Sequence, residues 1–383
     1  MQRTLRALGG IPSVAIILAT GVLGELLALV FTRFTTINSD LVIYYAAAHA
    51  LLSHRDANIY LLSVLQAQPI HCGTIYSPYI YPPFFAILFM PFTVLSCLPA
   101  ALAWNSLNML FLLITLALLQ HLWPQKALYL VLWCVASLFA LPLVMGLGYA
   151  QIHILVLCGL VLALWCLRKG RPIAAGSALA VISMIQVIPG LFLVYFLLQR
   201  QWKVAASMIV TGLLCVGVIL LVTGPQSLLE WVTSNQSFYA HHANIADIWN
   251  GSFLVHTGIW FPLLVTGVYG VTLLRSHMDL TQGYLWTIAT LFLLSPVVWL
   301  YFLIWLLPVW WYWWSTGRPW AALLMYLLTN VVVYIFAHHS TAYFIVLVVI
   351  VCGTWILLGY PVSLPFRWRK RLVPAAKLDG ISR

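Results

Sequence analysis

Acidic residues are scarce in this chain, seven Asp and Glu among 383 residues. Charge of either sign is low, at 7% of residues against 63% apolar. A soluble domain of this length does not need so much apolar surface, so the composition reads as a polytopic membrane protein. Paired cysteines are lacking too. Cys72, Cys97, Cys134, Cys158, Cys166, Cys215 and Cys352 are scattered, mostly in apolar runs. Neither a disulfide framework nor a metal site is expected from them, and they read as small apolar packers. Nor is there an internal repeat of the kind many transporters show.

What is there is positive charge, a formal net +11. Its distribution decides its meaning. The apolar run 11–31 is too long for a signal-peptide core and reads as a retained first span, with Arg3 and Arg6 on the cytoplasmic side. Further spans are expected near 98–122, 127–147, 150–167, 172–185, 188–199, 204–222, 253–274, 280–296, 298–314, 319–336 and 342–360, about twelve in all. The pairs 172–199 and 280–314 read as short hairpins interrupted by proline. This threading sends sixteen of the eighteen Lys and Arg to the cytoplasm, including a basic tail over 361–383, and leaves only Arg33 and Arg55 outside. The positive charge is therefore a topology and headgroup signal, not a nucleic-acid footprint. The "WYWW" stretch, 311–314, falls at the cytoplasmic end of its span, where aromatic belts are common. The chain is expected to form a single integral membrane domain, residues 1–383.

The side opposite the basic loops holds the other polar groups. The first extracytoplasmic loop, 32–97, is far longer than a connector needs to be. Within it, Leu41, Tyr44, Tyr45, Ala48 and Leu52 recur at helical spacing, which predicts an amphipathic helix over 40–53 lying on the membrane. A second short helix is expected over 59–67, then a bent aromatic segment carrying Pro78, Pro82, Pro83 and Pro91. A second large loop spans 223–252.

Five blocks carry a resemblance. They are "SDLVIYYAAAHALLSHRDANIY" (39–60), "YIYPPFFAILFMPFTVL" (79–95), a third covering 148–202 that includes "GYAQIHILVL" and "MIQVIPG", "NGSFLVHTGI" (250–259) and "LLSPVVWLYFLIWLLP" (293–308). In this order they resemble the C-type glycosyltransferase superfamily, and most closely glycosyltransferase family 87, the polyprenyl-phosphate-mannose-dependent alpha-mannosyltransferases. The chain departs from the family pattern at two places. Gln186 stands where a lysine is common, and Leu300 and Tyr301 follow Trp299 where a histidine is common. The resemblance implies an all-α membrane fold of the C type and an inverting transfer of a sugar to a hydroxyl of a glycolipid or glycan acceptor. The partners implied are a polyprenyl-phosphate sugar donor, such an acceptor and membrane lipids. The membrane implied is a bacterial cytoplasmic one, with the active site facing outward.

Such a transfer needs one base to take the acceptor proton and donors or cations near the departing phosphate. Asp40, at the outer end of the first span, is the candidate base; the alternative is a helix N-cap, since "NSD" before an apolar helix is a capping signal. Candidate contacts to donor phosphate or substrate are Arg33, Arg55, Tyr44, Tyr81, Gln186, Asn250, Ser252, His256, Trp299, Tyr301, His338 and His339. Arg33 and Arg55 either meet the phosphate or snorkel to headgroups. Asp56 reads as a turn residue, and the "HH" pairs at 241–242 and 338–339 lack spaced carboxylate partners for a metal. No metal, cofactor or nucleic acid is expected. A transporter or lipid flippase and a polysaccharide polymerase are the competing functions.

Overall fold

A chain this apolar closes its backbone hydrogen bonds most economically within helices. The computed structural model describes residues 11–35, 40–55, 57–70, 73–242, 260–275, 278–295, 298–332 and 340–359, and among these no strand occurs. In chain order, the elements that build the site are α1 (Ile11–Thr35), α2 (Asp40–Ser53), α3 (Leu62–Gln66), α4 (Pro83–Phe89), α5 (Cys97–Leu122), α6 (Ala127–Leu138), α7 (Leu141–Gly148), α8 (His153–Arg168), α9 (Pro172–Ile185), α10 (Leu191–Leu198), α11 (Trp202–Thr223) and α12 (Gln226–His242). They are followed by α13 (Trp260–Arg275), α14 (Leu280–Leu294), α15 (Leu307–Ser315), α16 (Pro319–Leu327) and α17 (Ser340–Gly359).

Three stretches are long and apolar enough to cross a membrane: Pro12–Val30, Cys97–Leu122 and Trp202–Thr223. A fourth results if α6 and α7, bent by 44°, act as one span. Pro142 at the start of α7 has no N–H to continue the α6 ladder, which accounts for the bend. The other expected spans coincide with shorter helices, so length and composition support three or four of the twelve. The two interrupted hairpins are broken where proline predicts. α9 ends at Ile185, and a 3₁₀ turn over Ile188–Gly190 containing Pro189 leads into α10. α14 ends at Leu294, and a 3₁₀ segment over Leu300–Leu306 leads into α15.

Close helix contacts rest on small residues. A Cβ on Gly176 of α9 would fall 2.4 Å from the Val204 carbonyl oxygen of α11. Beside it, Ser177 Oγ lies 3.1 Å from Ser207 Oγ and 2.9 Å from Thr211 Oγ1. Small residues and hydroxyl pairs of this kind let helices approach without a water-driven hydrophobic force.

Three expectations are corrected. The helix over 40–53 exists, but it is not an amphipathic surface helix: Leu41 to Ala48 are all buried, as are Ala50 and Leu51. Between Leu41 and Ala48 its residues are apolar on every side, which suits a segment packed all round. Trp310, Trp311 and Trp313 are buried in the core rather than forming an outward belt; Trp311 Nε1 donates to the Trp123 carbonyl at 3.1 Å. Lastly, Cys97 is disulfide-bonded, to a partner outside the described residues. Cys134, Cys158, Cys166, Cys215 and Cys352 are free thiols. The basic tail 361–383 lies outside the described residues.

With five free thiols among seven cysteines, alkylation of denatured, unreduced protein should modify five and leave two unlabelled by mass spectrometry. Labelling of six or seven would contradict the bond at Cys97.

Candidate active site

Asp40 opens α2, and its carboxylate is held from two directions. Tyr76 donates its hydroxyl to Oδ1 at 3.1 Å. Gln151 donates its Nε2 to Oδ2. Burial pushes the Asp40 carboxyl above the usual carboxylate range, and the Gln151 and Tyr76 hydrogen bonds pull it back down. Burial likewise raises the Tyr76 phenol, and the Asp40 charge adds to the rise. Tyr76 therefore stays a protonated donor.

Gln151 sits in the turn between α7 and α8, and that turn is tied to α5. Trp104 Nε1 donates to the Ala150 carbonyl at 2.8 Å, Asn105 Nδ2 to Leu147 at 3.2 Å, and Asn108 Nδ2 to Gln151 at 3.2 Å. From the other side, Trp305 Nε1 donates to the His153 carbonyl at 3.1 Å. These bonds hold Ala150 at φ 53°, a left-handed conformation that L-residues with a Cβ adopt at some cost. The turn is thereby shaped to point Gln151 at Asp40.

The Gln151 amide also connects to the aromatic segment after α3. The Tyr44 hydroxyl lies 3.4 Å from Gln151 Oε1 and 3.2 Å from the Tyr81 hydroxyl, within reach of both for its single hydrogen. Tyr44 packs edge-on against Tyr81 and Phe85, with centroids at 5.4 and 5.0 Å. Tyr60 fixes the backbone here by donating to the Tyr81 carbonyl at 3.0 Å.

Tyr81 and Pro82 form one wall of a cavity of about 220 Å³. Both helix breaks reach it, through Gln186 from the α9–α10 break and through Ser295 and Trp299 from the α14–α15 break. Trp231 and Asn235 of α12 complete it. Trp231 is tied to the aromatic segment by its Nε1, 3.3 Å from the Ile80 carbonyl. Asp40 does not line this cavity. It connects to it through Gln151, Tyr44 and Tyr81.

The sequence-expected residues divide as follows. Asp40, Tyr44, Tyr81, Gln186 and Trp299 belong to this one region. Tyr301 packs at a tilt against the buried His153 ring, with centroids 4.7 Å apart, and lies 5.8 Å from the Trp299 ring. Arg55 is exposed in the turn after α2 and is not among the cavity residues, so it is not brought to the site. Arg33 lies near the end of α1, with its side chain undescribed. Asn250, Ser252, His256, His338 and His339 lie outside the described residues, as does Asp56. No group of three or more His, Cys, Asp or Glu that could hold a metal occurs among the described residues. Sequence reasoning missed Gln151, Tyr76, Trp231, Asn235 and Ser295. Gln151 and Tyr76 lie 111 and 36 residues from Asp40, and only the fold joins them.

The sequence model of glycosyltransferase family 87 matches residues 79–337, more than half of the chain. The chain belongs to this family. The family 87 match includes Tyr81, Gln151, Gln186, Asn235 and Trp299; Asp40, Tyr44 and Tyr76 precede it. Among curated relatives, the chain is 27% identical over 270 residues to a polyprenol-phosphate-mannose-dependent alpha-(1-2)-phosphatidylinositol pentamannoside mannosyltransferase of Mycobacterium tuberculosis (strain CDC 1551 / Oshkosh), covering 62% of each chain. It is 26% identical over 266 residues to the protein of that name in Mycolicibacterium smegmatis (strain ATCC 700084 / mc(2)155), covering 64% of this chain and 63% of the relative. The chain thus spans under two thirds of the length of these relatives. No solved structure matches it.

Trp104 both holds the Gln151 turn and fills the aromatic cluster, 5.2 Å from Phe89. Trp104→Phe strands the buried Ala150 carbonyl. It should lower stability by about 1–3 kcal/mol, seen as a lower thermal transition in detergent. An unchanged transition would show that the turn does not depend on this bond.

Proposed function

We propose that the chain is an inverting transferase that moves a sugar, mannose by similarity to its relatives, from a polyprenyl-phosphate donor to a hydroxyl of a lipid-linked or glycan acceptor. Asp40 is the general base. The observation that carries this reading is the Asp40 carboxylate, held by Gln151 and Tyr76 and joined through Tyr44 and Tyr81 to the cavity at the two helix breaks. The names of the two relatives, which state a polyprenol-phosphate-mannose dependence and a phosphatidylinositol mannoside substrate, support the substrate class.

In this mechanism the acceptor oxygen attacks the anomeric carbon while the bond from that carbon to the phosphate oxygen breaks. Asp40 receives the acceptor proton, and polyprenyl phosphate leaves with the bonding electron pair. Gln151 and Tyr76 favour the ionised carboxylate, keeping the base unprotonated before transfer. Charge on the departing phosphate is assigned to Arg33, His256, His338 and His339. We place the site on the extracytoplasmic face of a bacterial cytoplasmic membrane. Two observations support that side. Basic residues cluster in the opposite loops, and Cys97, at the end of the first loop, is disulfide-bonded, a state that persists in oxidising compartments.

Purified protein supplied with polyprenyl-phosphate mannose and acceptor should release polyprenyl phosphate. Asp40→Asn should fold normally and slow transfer by about 10²–10⁴, whereas Asp56→Asn retains most of it. Transfer by Asp40→Asn at near wild-type rate would remove Asp40 as the base.

The pH profile gives an independent check. The base works deprotonated, so the rate falls as pH drops through the raised Asp40 pKa. Gln151→Leu or Tyr76→Phe removes a donor to the carboxylate, raises that pKa further, and should move the acid limb to higher pH. A limb that stays put in both variants would mean that Asp40 does not govern it.

A further inference from the structure

α9 runs from Pro172 to the break that carries Gln186 into the cavity, and its other end holds an unbalanced cluster of charge. The α8–α9 turn carries Lys169 and Arg171, the α10–α11 turn carries Arg200 and Lys203, and all four are exposed. Packing brings the two turns together. Ser207 of α11 donates its Oγ to the Ile173 carbonyl of α9 at 2.7 Å, and Gly176 of α9 lies against the Val204 carbonyl of α11. No counterion is at hand. The sequence has no Asp or Glu between Asp56 and Glu230, so α3 to α11 are free of acids. Asp279, in the turn before α14, accepts from the Gln282 N–H at 2.8 Å as a helix cap. Arg171 caps α9 and Lys203 lies in the first turn of α11, at the positive ends of two helix dipoles, where cations are disfavoured and neither helix supplies an acid. The two turns also share one left-handed position. Gly170 fills it at φ 66° in the first and Arg200 at φ 55° in the second, where a Cβ is costly. In each, the next N–H reaches back five residues, Arg171 to Cys166 at 2.9 Å and Gln201 to Phe196 at 2.8 Å. Sorting helices across a membrane needs positive charge on one side. It does not need four cations on one packed helix pair, nor an arginine in a glycine's conformation. Beside the cations the surface turns apolar. Ile173 is 68% exposed and Trp202 62%. Trp202, Ala206, Ile209 and Leu213 are exposed along one stripe of α11 that leads away from Lys203.

We propose that these two turns form a binding surface for an anionic phospholipid, whose phosphodiester meets Lys169, Arg171, Arg200 and Lys203 and whose acyl chains lie along the α11 stripe. Basic clusters at the ends of membrane helices attract anionic headgroups, and indoles favour the membrane–water boundary. A lipid suits the surface better than a soluble anion, because the cations and the apolar stripe are continuous. The surface is at the opposite end of α9 from the cavity, and the inference does not depend on the transferase reading.

The test titrates full-length, delipidated protein in a non-ionic detergent with dioleoyl phosphatidylglycerol or dioleoyl phosphatidylcholine and counts bound lipid by native mass spectrometry. Wild type should retain phosphatidylglycerol in preference to the zwitterionic lipid. Lys169→Gln, Arg171→Gln and Lys203→Gln should each weaken its binding by about fivefold, the worth of one basic residue near an anionic surface. Arg171→Lys and Lys203→Arg keep the charge and should keep the lipid. Arg55→Gln removes the same charge from a distant turn and should retain lipid as wild type does. Thermal transitions in the same detergent check that each variant is folded. Arg200→Gly separates a binding role from a structural one. It relieves the left-handed arginine and should raise the thermal transition, yet it should lose lipid by the same factor. Equal retention of the two lipids by wild type, unchanged binding by the folded patch variants, or an equal loss in Arg55→Gln overturns the proposal. So does displacement of the lipid by inorganic phosphate at the lipid's own concentration, which would make this a site for a soluble anion.

Discussion

A carboxylate drawn out of bulk water must find hydrogen-bond donors in the protein or give up its charge. Asp40 finds them in Gln151 and Tyr76, and this requirement organises the surrounding structure. It fixes the start of α2 against the segment before α4 and against the turn between α7 and α8. The turn in turn depends on Trp104, Asn105 and Asn108 of α5 and on Trp305 of the second broken hairpin.

The same framework builds the cavity. A continuous helix would satisfy its own amides and present only side chains. Breaking α9–α10 and α14–α15 brings Gln186, Ser295 and Trp299 to one point, opposite Tyr81 and Pro82. Tyr81 is the joint between the two halves of the site, since it lines the cavity and its hydroxyl accepts from Tyr44, which also reaches Gln151. The charge-bearing half and the neutral half are thus adjacent but distinct. The carboxylate can act on a hydroxyl, while the cavity is walled by neutral amides, hydroxyls and rings.

The sequence made some of this legible. Proline marks both helix breaks, and their tips do meet, because a missing N–H and a restricted preceding residue act locally. The helix over 40–53 follows from its spacing. Its burial is consistent with the same residues, since Leu41 to Ala48 leave no polar face for water. Gln151 was not legible as a site residue. A glutamine between two apolar runs reads as a loop residue, and its partner lies 111 positions away. Asn235 was hidden in the same way, as one polar residue in the second loop. The bond at Cys97 escaped because scattered cysteines carry no connectivity in their spacing.

The most direct test of the account is a structure of the protein bound to a non-transferable polyprenyl-phosphonate analogue of the donor together with acceptor. The account predicts the acceptor hydroxyl within about 3.2 Å of the Asp40 carboxylate, or joined to it by one water. A reacting centre that lies beyond that reach, with Asp40 still held by Gln151 and Tyr76, would contradict it.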